Sequence, residues 1–336
     1  MKRLSLIVLL GVLMSGCAVP QKTIPLMIYD MNDPYMANFE HQIIEASQSL
    51  FEVVTYDATN SQIIQNEQVD QLMKHNEVII LNPVDRLSVF SILDKAKINQ
   101  NKLIFFNREP LISDLETYDH VYYVGADAIQ SATLQASLIM DIFGNSPSLN
   151  QFDKNQDHII QAVLLKGEQG HQDAEARTQY VVSSLLEAGY AIQILETDID
   201  NWDRSTAKDS TLTWMKNYGN EIELIISNND AMALGAIDAL KETGYMDDVN
   251  QDGKIDNTVE PWLPVVGIDG LDEAVESIRS GYLYGTIVND SKAMAEVIVE
   301  LAEALQEGTS LDQLSLPITD GKYIWIDYQK LTLEGE

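Results

Sequence analysis

The stretch IIQAVLLKGEQGHQDAEAR, residues 159–177, joins a continuous apolar run to a polar helical segment across a glycine-containing turn. A run that is apolar at consecutive positions is buried on both faces, the mark of a strand inside a parallel sheet covered by helices. The same alternation runs along the chain. IPLMIY (24–29), FEVVTY (51–56), EVIIL (77–81), KLIFF (102–106) and VYYVG (121–125) precede the opening stretch, with helical patterns between them such as MANFEHQIIEASQSL. IQILET, IELIIS, LPVVGI and YGTIV follow it. Two successions of about five strands each predict an α/β chain of two doubly wound parallel-sheet lobes, with the first crossover near Gly125.

In such sheets ligands bind beyond the carboxyl ends of the strands. The residues that follow the strands are Asp33 and Tyr35, then Asn107, then His171, Asp173 and Arg177, then Asn229, Asp269 and Asn289, with Trp202 near the end of another strand. No glycine-rich phosphate motif follows any strand, so nothing supports a nucleotide phosphate site. Carboxylates accept, arginine donates and amides do both, which suits a neutral polyhydroxy ligand, and the aromatic planes of Tyr35 and Trp202 suit the apolar faces of a pyranose ring. The same side chains have ordinary structural uses. Asp173 and Arg177 have the i, i+4 spacing of a surface helix pair, and His171, Asn229 and Asp269 stand where helix caps stand.

The chain has 336 residues and a formal charge of −31, a balance that repels nucleic acid and anionic headgroups. It opens MKRLSLIVLLGVLMSGC, in which Lys2 and Arg3 precede an apolar run from Leu4 to Met14 that is too short to span a bilayer and reads as a secretory signal. Small residues before Cys17, the single cysteine, resemble a bacterial lipoprotein cleavage box. Residues 1–16 are therefore expected to be removed, residues 17–23 to form a lipidated tether on Cys17, and the mature chain to lie outside the cytoplasm, anchored to the membrane, with a charge of −33.

DKNQDHIIQ (153–161) opens like an EF-hand, with Asp153, Asn155 and Asp157 at positions 1, 3 and 5, but His158 replaces the usual glycine and position 12 is Leu164. The residues alone leave three readings: a decayed EF-hand, an acidic turn, or a metal site that takes its last ligand from elsewhere. DVNQDGKIDNTVE (248–260) fits the pattern better. Asp248, Asn250, Asp252 and Asp256 hold positions 1, 3, 5 and 9, Lys254 stands at the carbonyl position, and Glu260 falls one residue late. Its plain alternative is a polar surface loop.

KGEQGHQDAEAR, ISNNDAMALGA, FFNREP, YYVG, GIDG and GTIVND together resemble the galactose/glucose-binding proteins of bacterial sugar ABC transporters, over nearly the whole mature chain. The resemblance implies the type I periplasmic-binding fold, with three crossovers joining an N-terminal lobe (24–124 and 291–321) to a C-terminal lobe (126–289 and 325–336), and one monosaccharide, galactose or glucose, held between them. It implies polar contacts from Asp33, Asn107, His171, Asp173, Arg177, Asn229, Asp269 and Asn289, and stacking by Tyr35 and Trp202. The family commonly has phenylalanine at the first stacking position, so the Tyr35 hydroxyl is extra and is expected to alter the cleft edge or face water. The resemblance also implies a nine-residue calcium loop closed by a distant carboxylate, with Asp153, Asn155, Asp157, the Ile159 carbonyl, Gln161 and Glu223 as ligands, and His158 in a left-handed turn that weakens it.

These expectations describe a monomeric receptor that delivers sugar to an ABC permease rather than an enzyme. An alternative with the same ligand is a lipoprotein that presents sugar to a sensor kinase or chemoreceptor. A calcium-dependent glycosidase would need two of the carboxylates for catalysis, and nothing in the sequence requires that. A repressor's effector domain is opposed by the signal segment.

Overall fold

The computed structural model describes residues 22–333. The signal and lipidation readings, residues 1–16 and Cys17, lie outside the described residues. In the first lobe a seven-stranded sheet has the order β11-β12-β5-β4-β3-β1-β2. Its strands are β1 (Thr23–Ile28), β2 (Glu52–Asp57), β3 (Val78–Leu81), β4 (Lys102–Phe106), β5 (Val121–Gly125), β11 (Ile318–Thr319) and β12 (Tyr323–Trp325). In the second, six strands run β13-β10-β9-β8-β6-β7. They are β6 (Ile159–Lys166), β7 (Ala191–Ile199), β8 (Leu224–Ser227), β9 (Val265–Asp269), β10 (Gly285–Val288) and β13 (Gln329–Thr332). The helices are α1 (Pro34–Ser47), α2 (Gln62–Leu72), α3 (Val89–Asn99), α4 (Ile112–Leu115), α5 (Ala128–Phe143), α6 (Gln172–Glu187), α7 (Arg204–Asn217), α8 (Asp230–Thr243), α9 (Asp272–Arg279) and α10 (Ser291–Glu307).

Both faces of each sheet are covered, which is why the strands read as continuous apolar runs. Ile24, Leu26 and Ile28 of β1 share one core with Val78, Ile80, Ile104 and Phe106, while Met27 joins Ile79, Leu81, Leu103 and Phe105 on the opposite face. The second sheet divides the same way, with Val163, Leu165 and Ile225 on one side and Ile160, Leu164 and Ile226 on the other. Side chains alternate with period two, so each strand feeds two cores, and each fully buried Leu, Ile or Phe contributes roughly 1.5–3 kcal/mol.

The chain crosses between lobes after β5, after β10 and between β12 and β13. Two details depart from the expected layout. Trp325 ends a strand of the first sheet, pairing with Gly125, so that lobe runs past residue 321. The sheets are also not wholly parallel: β13 runs antiparallel to β10, and β11 antiparallel to β12. β11 and β13 are short and partly polar, and each stands at the edge of its sheet.

Candidate functional site

Helices that follow parallel strands begin at the strands' carboxyl ends, so their N-termini gather at the cleft between the lobes. The capping residues come with them. Asp33 caps α1, its Oδ1 accepting the Tyr35 and Met36 N–H groups at 2.8 and 3.3 Å. His171 caps α6, its Nδ1 accepting the Asp173 N–H at 3.1 Å, and Asn229 caps α8, its Oδ1 accepting the Met232 N–H at 2.9 Å. The cap role and the cleft position are thus held by the same residues. Asp269 caps nothing: α9 begins after Leu271, and the Gly270 and Leu271 N–H groups are taken by Asp230 instead.

All ten strand-end residues singled out in the sequence line one small cavity in the cleft. Tyr29 and Arg108 complete its wall. Arg177 is the hub. Nη2 donates to Asp173 Oδ2 at 3.1 Å and to the Tyr328 hydroxyl at 3.0 Å, Nη1 donates to the Asn228 carbonyl at 2.8 Å, and Asp269 Oδ1 lies 3.9 Å away. The Asp173–Arg177 spacing therefore makes a buried pair rather than a surface one, since Arg177 is only 3% exposed. Burial works against its charge, but Tyr328, Asp173 and Asp269 outweigh it and hold the guanidinium protonated. Burial raises the carboxyl pKa values of Asp33, Asp173 and Asp269, against the pull of the arginines. Burial and then the arginines push His171 well below its ordinary pKa. It is neutral, with Nδ1 accepting, which leaves Nε2–H as a donor.

The Trp202 indole lies edge-to-face with His171 at 5.1 Å, and Arg177 Cζ is 5.9 Å from its ring centre. Tyr35 packs edge-on against Phe39, and its hydroxyl donates across the cleft to the Asn289 carbonyl at 3.3 Å. The extra hydroxyl therefore neither faces water nor merely trims the cleft edge; it bonds to the opposite lobe. Asn289 Oδ1, Arg177 Nε and Arg108 Nε are buried without partners. Buried polar atoms in native proteins are nearly always satisfied, so these await a ligand or water. Sequence patterns alone do not single out Tyr29, which ends the apolar run IPLMIY, or Arg108, which directly follows Asn107 in FFNREP. A larger surface groove between α1 and α10, lined by Gln42, Glu45, Lys292 and Glu300 among others, contains none of these residues.

The 153–161 loop is closed by Glu223 at the start of β8. Its Oε1 accepts the Lys154 N–H at 2.5 Å and its Oε2 the Gln161 N–H at 3.2 Å. His158 adopts φ of 66°, the left-handed turn expected where glycine is missing. Asp153 Oδ2 accepts the His158 N–H, Asn155 Oδ1 the Asp157 N–H and Asp157 Oδ1 the Ile159 N–H. Asp153 and Gln161, 4% and 6% exposed, leave Oδ1 and Oε1 buried without partners. Two orphaned acceptors beside a closing carboxylate fit an oxygen-seeking cation such as calcium. Among the described residues no cluster of three or more His, Cys, Asp or Glu side chains stands ready as a metal site, and this loop mixes carboxylates with amides and a carbonyl.

The 248–260 loop repeats the frame. Asp248 Oδ2 accepts the Gly253 N–H, Asn250 Oδ1 the Asp252 N–H and Asp252 Oδ1 the Lys254 N–H. Glu260, one residue late for an EF-hand, takes the Asn250 and Asp256 N–H groups at 3.3 and 2.9 Å, the part Glu223 plays in the first loop. Here, however, Asp252 and Asp256 are exposed and Asp248 and Glu260 only half-buried.

Two α/β lobes with a polar, aromatic-walled cavity between them define a two-lobed solute-binding protein that encloses its ligand rather than transforming it. A model of the periplasmic binding protein domain matches residues 24–310, and the chain belongs to that family. It is 37% identical over 287 residues, 84% of this chain and 81% of the other, to the D-galactose/methyl-galactoside binding periplasmic protein MglB of Haemophilus influenzae. Its fold matches an ABC transporter solute binding protein from Bacillus halodurans with bound myo-inositol, at TM-score 0.75 and 25% identity over 95% of this chain and 97% of that one. It also matches a periplasmic solute binding protein from Actinobacillus succinogenes with bound D-allose, at TM-score 0.76 and 19% identity over 94% and 98%.

Proposed function

We propose that this chain is the receptor of a sugar ABC transporter, that it closes over one hexose, galactose or glucose, and that it passes the sugar to a membrane permease as a monomer anchored through Cys17. The observation that carries this reading is the cavity. Three carboxylate acceptors, two guanidinium donors and three amides from both lobes surround a space walled by Tyr35 and Trp202. Each hydroxyl of a neutral pyranose finds an acceptor or donor there, and an analogue lacking one leaves a buried group unpaired. The identity to a galactose-binding relative supports the same ligand class.

Calcium belongs to the proposal as a structural ion. Asp153, Asn155, Asp157, the Ile159 carbonyl, Gln161 and Glu223 would hold it, and bound calcium would neutralise the carboxylates and tie the loop to β8. Asp248, Asn250, Asp252, Lys254 and Asp256, closed by Glu260, are the second candidate, and the measured stoichiometry, one ion or two, decides it.

The test is a thermal-shift screen of monosaccharides followed by titration calorimetry. A ligand bound only by the native state raises its stability by about 2.7 kcal/mol at a hundred times Kd. D-galactose or D-glucose is expected to do so. A chain stabilised by no monosaccharide refutes the reading.

A further inference from the structure

Arg108 and Glu168 belong to different lobes. Arg108 follows β4 of the first sheet, and Glu168 lies just beyond β6 of the second. Arg108 Nη2 meets Glu168 Oε2 at 2.7 Å, so the ion pair spans the cleft. Its other amino group donates to the Val84 carbonyl. Its plane lies over the Tyr29 ring, Cζ 3.7 Å from the centre. The Tyr29 hydroxyl in turn donates to Asp33 Oδ2 at 2.5 Å. Because Asp33 Oδ1 is taken by the first turn of α1, the Tyr29 bond fixes the remaining oxygen of a carboxylate that lines the ligand cavity.

We infer that Arg108 is a positioning residue that couples closure of the two lobes to the acceptor Asp33, with Glu168 as its clasp across the cleft. The inference rests on the monosaccharide reading of the cavity. Three physical points carry it. First, the other polar contacts across the cleft described here are neutral: Tyr35 to the Asn289 carbonyl at 3.3 Å and Gln172 to the Asn107 carbonyl at 3.2 Å. A pair in which both groups are charged is the stronger kind of hydrogen bond. Second, Arg108 is 3% exposed and its partner belongs to the other lobe, so separation of the lobes would break the pairing with Glu168. A contact made in one state and not the other shifts the equilibrium between them, and this one favours the ligand-enclosing state. Third, Glu168 does not line the ligand cavity. It lines two neighbouring recesses instead, so it makes no contact of its own in the cavity and acts on the sugar only through Arg108.

The clasp governs escape of the sugar rather than its entry, because it forms after the ligand is in place. The experiment measures association and dissociation of D-galactose or D-glucose by stopped-flow tryptophan fluorescence, for the full chain and for Glu168→Gln, Arg108→Gln and the double variant. Glu168→Gln is expected to raise Kd about tenfold, entirely through a faster off-rate, and to keep the unliganded melting temperature of the parent. The off-rate of the parent should rise with ionic strength and that of Glu168→Gln should not. The double variant should bind no more weakly than Arg108→Gln alone. An unchanged off-rate in Glu168→Gln, additive losses in the double variant, or a fall in the unliganded melting temperature each overturns the clasp while leaving the sugar reading intact. A parent that binds neither sugar overturns both.

Discussion

Gly167→Ala tests whether the Trp202 indole is a wall of the ligand cavity. Gly167 closes β6, and a Cβ built there falls 2.2 Å from Trp202 Cη2 and 2.3 Å from Cζ2 and Cζ3. Carbon atoms rest at ~3.5–4.0 Å, so the ring must retreat by ~1.5 Å. The backbone under the ring has little slack, since Asn201 and Trp202 already hold left-handed φ values of 50° and 68°. Gly167 itself is not at positive φ, so alanine fits its backbone and the nearest atoms it meets are those of the indole. A displaced stacking aromatic costs ~2 kcal/mol of binding, about thirtyfold in Kd, while the fold should be nearly unaffected. Titration calorimetry with the sugar the parent binds measures it, and Trp202→Ala serves as reference. Once the ring is gone, adding Gly167→Ala should cost nothing more. If Gly167→Ala binds within twofold of the parent, Trp202 does not face the ligand and the stacking assignment is wrong.

Glu223→Gln should remove most of the rise in melting temperature that calcium gives the parent over chelator, because Glu223 ties the 153–161 loop to β8; Asp248→Ala should leave most of it. An undiminished calcium response in Glu223→Gln would mean that no ion bridges those segments. Asp200 is buried, with Oδ1 bonded to the Ser210 hydroxyl at 2.7 Å and Oδ2 unpartnered, and burial pushes its pKa up to about 6. An acid whose pKa is higher folded than unfolded costs stability above its folded value and costs none below its unfolded value of ~3.9. Asp200→Asn should therefore melt higher than the parent at pH 7.5 and no higher near pH 4, and a difference that is constant over that range would refute the assignment.

The lobes were legible because their strands are buried on both faces: an apolar run such as IIQAVLLK admits few other readings. The site was legible through topology, since knowing where strands end says where to look. What escaped lies off those rules. Arg108 was passed over because a charge beside a named amide gave no sign that it would be buried over Tyr29. Glu260 seemed out of register because an EF-hand counts residues, while the loop needs only a carboxylate that reaches the N–H groups of Asn250 and Asp256. The short β11, β12 and β13 carry no strong alternation and showed their pairing only once the sheets were assembled. Asp269 had two readings in the sequence, ligand contact or helix cap; the structure removes the cap, since α9 begins after Leu271 and Asp269 lies beside Arg177.

The third crossover has a consequence for how the chain is made. Tyr323 pairs with Tyr123 in one sheet, and Leu331 with Thr286 in the other, so strands that follow β10 in the chain complete a sheet in each lobe. Until they emerge, β5 and β10 each present an unpaired edge, an invitation to join the wrong chain. Contacts so distant in sequence also form slowly. Neither lobe can mature ahead of the other during translation, and a chain stopped short of residue 323 would carry two sticky flanks instead of one unfinished tail. The β12–β13 segment thus works as a completion signal: a truncation before it should be read by the cell as an aggregation problem before it is ever felt as a binding defect.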